Sequence, residues 1–230
     1  MKKYFVTGTD TEVGKTFVTS SFLKLLSIEN KKCFGLKPIA SGCEKIDGKW
    51  MNEDALSLMK NSSIELSYDD VNPIALPEAI APHLAAEKNN VAINVRAISE
   101  HCKKIFKASE SAADCIIVEG AGGWFVPLNN EETYADAVKE LNLDVLLVVG
   151  IRLGCINHAL LTEAAIKQSG LRLAGWVANT IDAGASNQQE IVQTLRQRIN
   201  APCLGVVPNF SKNKEYSKII TAASQYLRMP

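Results

Sequence analysis

Close to the N-terminus, Gly8-Thr9-Asp10-Thr11-Glu12-Val13-Gly14-Lys15-Thr16 combines two glycines, a lysine and a hydroxyl residue in the manner of a phosphate-binding loop. Glycine at positions 8 and 14 permits tight turning and close approach of backbone to an anion. The N–H groups of the loop and of a following first helical turn point at that anion, and the helix dipole adds to the attraction. Lys15 would reach the β and γ phosphates, and the Thr16 hydroxyl would take a place on Mg²⁺. Five residues separate Gly8 from Gly14, one more than the common pattern. The longer loop offers Thr11 and Glu12 to the space beyond the phosphates.

A magnesium ion on phosphates keeps several waters and takes one or two protein carboxylates. Glu119 is the first candidate, because it follows the apolar run Cys115–Val118 and precedes Gly120, Gly122 and Gly123. At the carboxyl end of a strand in an open α/β sheet it would face a ligand crevice. The alternative is an exposed glutamate in a glycine-rich turn. Asp54 lies in Asn52-Glu53-Asp54-Ala55-Leu56, a helix start, where an acidic first turn is also ordinary dipole chemistry. Lys37 and Ser41 follow the run Cys33–Leu36, so that a lysine stands at another strand's carboxyl end; a lone lysine is otherwise surface.

These residues need a scaffold, and the apolar segments supply one. Tyr4–Thr7, Cys33–Leu36, Cys115–Val118, Val145–Val149, Leu173–Val177 and Leu204–Val207 are short continuous runs suited to strands buried on both faces. Helical spacing appears between them. Lys15–Leu26 repeats Phe17, Val18, Phe22, Leu25 and Leu26, and Asn157–Ser169 repeats Ala159, Leu160, Ala164 and Ile166 before Gly170. Ser186 could cap a helix reaching Ile199, which Pro202 prevents from continuing. The alternation implies an α/β fold with a mostly parallel sheet and helices on both faces. Residues 41–94, with Pro73, Pro77 and Pro82, read as an irregular and helical insertion lining the site of a single domain, 1–230.

The 230 residues and 47% hydrophobic content suffice for one substantial core. Lys plus Arg number 25 and Asp plus Glu 25, so no overall charge favours nucleic acid or an anionic membrane as partner. Cys33, Cys43, Cys102, Cys115, Cys155 and Cys203 include no C-x-x-C pair, which points to reduced thiols in a cytoplasmic protein. The first residues form no signal-peptide h-region, and the apolar run Val145–Ile151 is too short to span a bilayer.

Together the motifs resemble the dethiobiotin synthetase family, ATP-dependent cyclo-ligases of biotin biosynthesis with the P-loop NTPase fold. The resemblance rests on Gly8–Thr16 with its extra residue, Lys37-Pro38-Ile39-Ala40-Ser41-Gly42, Asn52-Glu53-Asp54 and Ala81-Pro82-His83-Leu84-Ala85-Ala86. It continues through Glu119-Gly120-Ala121-Gly122-Gly123, Gly154-Cys155-Ile156-Asn157-His158-Ala159 and Val177-Ala178-Asn179, in order along nearly the whole chain. In that family CO₂ is captured on one amine of 7,8-diaminopelargonic acid as a carbamate. ATP phosphorylates the carbamate, and the second amine closes the cyclic urea, releasing phosphate.

The resemblance also implies roles. Thr16, Asp54 and Glu119 would hold Mg²⁺, and Thr11, Lys37, Ser41 and Gly122 would face the diamine or its carbamate. Lys37 and Lys15 would be catalytic. ATP contacts would come from Glu12, Val13, Gly14, Lys15, Thr16 and Phe17, from Asp54, and from Glu119, Gly120, Ala121 and Gly122. Asn179 would read the adenine edge, with Thr180, Pro208, Asn209, Phe210 and Glu215 completing the base pocket. Gly154 and Asn157 would contact the substrate's carboxylate tail from the neighbouring subunit of a homodimer. The alternatives are a related ligase and a partitioning-type or cluster-scaffold switch ATPase. The switch ATPases carry a second lysine early in the phosphate loop, and Thr9–Val13 contain none.

Overall fold

The computed structural model describes residues 1–182, 184, 187–210 and 215–230. Along the chain run β1 (Lys2–Gly8), α1 (Lys15–Ile28), β2 (Cys33–Leu36), β3 (Ile39–Ser41), β4 (Glu44–Ile46), β5 (Lys49–Met51), α2 (Glu53–Asn61), α3 (Tyr68–Val71), β6 (Ile74–Leu76) and α4 (Pro82–Lys88). There follow α5 (Val95–Ala108), β7 (Cys115–Gly123), α6 (Tyr134–Leu141), β8 (Asp144–Gly150), α7 (Cys155–Gln168), β9 (Leu173–Asn179), α8 (Gln188–Arg198), β10 (Cys203–Val207) and α9 (Tyr216–Ser224).

The six apolar runs all enter one parallel sheet, in the order β10-β9-β8-β1-β7-β2. Successive side chains leave a strand on opposite faces, and here both faces are covered. Tyr4 and Val6 of β1 pack with Val18, Phe22 and Leu23 of α1 and Ala223 of α9, while Phe5 packs on the other side with Tyr134 of α6. In β8, Leu146 and Val148 join the first layer, and Val145, Leu147 and Val149 join the second, with α5 to α8. Two-sided burial is why these strands read as unbroken apolar runs. β1 lies inside the sheet, between β7 and β8, so its carboxyl end opens into the crevice where ligands of such sheets bind.

The structure changes some of the expected boundaries. β7 continues to Gly123, so Glu119 lies within a strand and the glycines after it extend that strand instead of forming a turn. Gly120 is needed there, because a Cβ would stand 2.6 Å from Phe5 Cζ. α7 begins two residues earlier than its apolar spacing indicated, at Cys155, with Gly154 as its N-cap at φ 89°. The insertion is less irregular than expected. β3 and β6 pair in parallel, β4 and β5 form an antiparallel hairpin, and α2, α3 and α4 fill the remainder. α8 follows Asn187, whereas Ser186, read as its cap, lies outside the described residues. Among the described residues no helix is long and apolar enough to cross a membrane.

Candidate active site

β1 ends at Gly8 and α1 starts at Lys15, and the intervening loop is braced from several sides. Thr9 N–H donates to the Val148 carbonyl of β8 at 3.0 Å, and Asn179 Nδ2 at the end of β9 donates to the Val13 carbonyl at 2.9 Å. Gly14 caps α1 at φ 84°, a left-handed conformation that favours glycine. A Cβ there would also come within 2.2 Å of Asn179 Nδ2. Glu12 adopts φ 59° without being glycine. Lys15 is buried, and its ammonium turns back to the Asp10 carbonyl at 3.0 Å. Burial, reinforced by repulsion from Lys37, lowers its pKa to about 8. A phosphate at the loop would give this ammonium a direct anionic partner in place of a neutral carbonyl.

Three elements converge beside the loop. Asn52 caps α2, its side chain accepting from the N–H groups of Asp54 and Ala55, and so places Asp54 in the first turn. Lys37 follows β2, where its N–H donates to the Val71 carbonyl at 2.9 Å and its own carbonyl accepts from Asn72 Nδ2 at 2.6 Å. Its ammonium then reaches Glu119 Oε1 at 2.7 Å, the Gly120 carbonyl at 2.9 Å and Asp54 Oδ2 at 3.2 Å. Lys37 is not a solvated surface lysine, since it is 3% exposed. Burial alone pushes its pKa down, but Glu119 and then Asp54 outweigh that and hold it above the ordinary lysine value. Burial likewise pushes Asp54 up, and Lys37 and Thr16 bring it below the ordinary carboxylate value.

The exposed-glutamate reading of Glu119 is excluded too, because its side chain is fully buried. Thr16 Oγ1 donates to Glu119 Oε1 at 2.7 Å, across 103 positions of sequence, while Glu119 Oε2 is buried without a hydrogen-bond partner among the described residues. An orphaned carboxylate oxygen beside a hydroxyl and a second carboxylate is a set of hard oxygen donors that fits Mg²⁺. Thr16, Asp54 and Glu119 are the residues that would hold it.

A cavity of about 670 Å³ opens next to these groups, lined by Thr11, Lys15, Thr16, Lys37, Ser41, Asp54 and Gly122. Ser41 Oγ is buried in its wall without a hydrogen-bond partner among the described residues. The extra loop residue therefore brings Thr11 to the cavity, as its spacing suggested. Sequence reasoning passed over Ala79, Ile80, Val126 and Pro127, which also line the cavity, and their ordinary types carry no signal.

Among the described residues, those expected at the base pocket fall into two groups. Phe17, Phe210 and Tyr216 form an aromatic chain at the start of α1, with ring centroids 6.1 Å and 6.5 Å apart. Glu215 precedes α9 and accepts from Ser217 at 2.6 Å. Thr180, Pro208 and Asn209 line a separate groove beside α8, and Asn209 Nδ2 donates to the Thr180 carbonyl at 3.1 Å. The Asn179 amide is engaged with the loop carbonyl described above, a bracing role that its place after an apolar run did not reveal. Gly154 and Asn157 are exposed at the start of α7 and do not line this cavity.

Comparison with known proteins supplies the family and the fold. A family model described as an AAA domain matches residues 2–215. The chain is similar to the ATP-dependent dethiobiotin synthetase BioD of Cellvibrio japonicus, 48% identical over 210 residues, which cover 91% of this chain and 90% of that protein. The relative of the same name from Pseudomonas aeruginosa is 46% identical over 212 residues, covering 92% of each. Among solved structures, the MinD cell division protein of Aquifex aeolicus superposes with a TM-score of 0.59 at 18% identity, covering 98% of this chain and 93% of that one. At that identity the likeness shows the shared fold alone.

Proposed function

The chain belongs to the ATP-dependent dethiobiotin synthetase family, and on that premise we propose how its cavity performs the family's reaction. The protein is a carbon–nitrogen ligase that converts 7,8-diaminopelargonic acid and CO₂, with Mg-ATP, into dethiobiotin. The observation that carries the reading is the Lys37 ammonium, held between Glu119 and Asp54 on the border of the phosphate loop and the cavity.

Bringing an anionic carbamate against a γ-phosphate costs roughly 4 kcal/mol per unit charge pair at ~4 Å and an effective dielectric near 20. Lys15 and Lys37 offset that cost from the loop side and the cavity side. They also stabilise the charge that develops as the phosphoryl group moves. A compact ammonium suits this as a concentrated positive charge. Magnesium, when bound by Thr16, Asp54 and Glu119, neutralises phosphate charge. Thr11, Ser41 and Gly122 bound the space for the diamine and its carbamate. Glu12 to Phe17, together with Asp54, Glu119, Gly120, Ala121 and Gly122, would contact the triphosphate, and Asn179, Thr180, Pro208, Asn209, Phe210 and Glu215 would contact the base.

The protein acts as a cytoplasmic homodimer of single-domain subunits, with residues 41–94 as the site-lining insertion. Two features support the dimer. Leu153 is 99% exposed and Leu161 of α7 is 61% exposed, which leaves apolar surface beside Gly154 and Asn157. The first turn of α7 also offers N–H groups to a carboxylate that this subunit's own cavity does not present to it.

The test is phosphate release from Mg-ATP with bicarbonate, with and without diaminopelargonate, alongside detection of dethiobiotin. Release that depends on the diamine and yields dethiobiotin is expected. Release indifferent to the diamine, with no dethiobiotin formed, rejects the reading.

A further inference from the structure

Asp10, in the longer part of the loop, is tied at three points. Its Oδ1 accepts the Thr11 N–H at 2.8 Å, its Oδ2 accepts from Arg152 Nη2, and its carbonyl accepts from the Lys15 ammonium at 3.0 Å. Arg152 comes from a different part of the chain. It lies just beyond β8, in the turn that leads through Gly154 into α7, and its carbonyl accepts the Cys155 N–H at 3.1 Å. The surrounding packing runs the same way: a Cβ on Gly150, the last residue of β8, would come within 3.0 Å of Val13 Cγ1. Glu12, two residues after Asp10, holds a left-handed φ that a non-glycine residue keeps only with outside support.

We propose that Arg152 is a positioning residue for the phosphate loop. Its ion pair with Asp10 holds residues 10–12 in register with the end of β8, and so sets where Thr11 and the Lys15 ammonium stand. Both members of the pair are about half exposed, with side-chain accessibilities of 42% and 45%, so the pair contributes little to global stability. Its effect falls on geometry, where a displacement of about 1 Å can cost ~100-fold in rate. The inference deepens the proposed function, because turnover is read in that reaction, but the loop's own response is read with nucleotide alone.

The experiment compares Arg152→Met, Arg152→Lys, Asp10→Asn and the Arg152→Met/Asp10→Asn double variant. Asp10→Asn keeps an acceptor for the Thr11 N–H while losing the charge. Arg152→Met is expected to leave the unfolding midpoint in place, to weaken Mg-ATP binding in calorimetry several-fold, and to lower kcat about tenfold or more, with KM for the diamine changed less than about threefold. Arg152→Lys recovers most of the loss, and the double variant is no worse than the poorer single one, because both substitutions remove one interaction. Multiplying losses in the double variant, or an Arg152→Met defect confined to KM for the diamine, overturns the proposal. The nucleotide-affinity cycle decides it even if the parent protein makes no dethiobiotin.

Discussion

Lys37 Nζ meets Glu119 Oε1 at 2.7 Å with both side chains removed from water, at 4% and 0% exposure. The pair joins the end of β2 to the interior of β7, and Thr16 donates to the same carboxylate oxygen. Structure and chemistry are thus carried by one contact, which ties the charges of the site to the core.

Removing one partner of a buried pair leaves the other charge uncompensated, at a cost of about 3–5 kcal/mol. Lys37→Ala is therefore expected to lower the denaturation midpoint as well as turnover, the latter by about 100-fold or more. Lys37→Ala combined with Glu119→Gln should recover part of the stability and none of the activity. Urea titration with parallel turnover measurements checks this. Nucleotide affinity should stay near that of the parent in Lys37→Ala; its collapse would move Lys37 into the nucleotide site.

Glu119→Gln keeps the shape of the side chain and removes its charge beside Thr16 and Asp54. The magnesium concentration for half-maximal turnover is expected to rise about tenfold or more, in keeping with the sensitivity of metal sites to their surrounding groups. A metal titration coinciding with that of the parent would remove Glu119 from the ligand set.

Gly14→Ala places a Cβ 2.2 Å from Asn179 Nδ2 at a φ of 84°. The loop has to shift, so Mg-ATP affinity in calorimetry should fall by more than about tenfold, a loss of roughly 1.4 kcal/mol. Adding Asn179→Ala removes the clash but also the brace on the Val13 carbonyl, and leaves the left-handed backbone requirement, so at most part of the affinity should return. Unchanged affinity in Gly14→Ala would show that the loop is not constrained at this point.

The start of α6 carries a pH-dependent contribution. Thr133 donates from its hydroxyl at 2.7 Å and its N–H at 2.9 Å to Asp136 Oδ2. The hydroxyl, against the opposing effect of partial burial, holds the Asp136 carboxyl below its ordinary value of 3.8. A carboxyl lowered in the folded state contributes stability above its unfolded value and loses it as pH falls through the folded value. Asp136→Asn should therefore cost about 0.5–1 kcal/mol at pH 7, and this difference from the parent should vanish towards pH 2. Denaturation midpoints of both proteins at the two pH values provide the comparison.

Leu153→Asp with Leu161→Asp places charge on the exposed apolar surface beside Gly154. Sedimentation is expected to show a dimer for the parent and a monomer for the double variant, with KM for the diamine raised, because Gly154 and Asn157 would no longer meet the partner's substrate. Dimers that persist in the double variant would put the interface elsewhere.

Local sequence was enough to determine the phosphate loop, the six strands and the starts of α1 and α2. Backbone approach at Gly8 and Gly14, two-sided strand burial and the Asn52 cap are properties of a residue and its near neighbours. The extra loop residue, legible as a spacing of five, also forecast that Thr11 would reach the cavity. Tertiary structure alone decided the rest. Whether Lys37 was surface or site depended on β2 lying next to β7, which brings residues 82 positions apart into contact. Arg152 meeting Asp10 likewise depends on β8 lying beside β1 in the sheet though not in the chain, and Asn179 bracing Val13 depends on β9 lying one strand further along. Charge pairing and bracing are set by distances in space, and strand order, which no local pattern encodes, sets those distances.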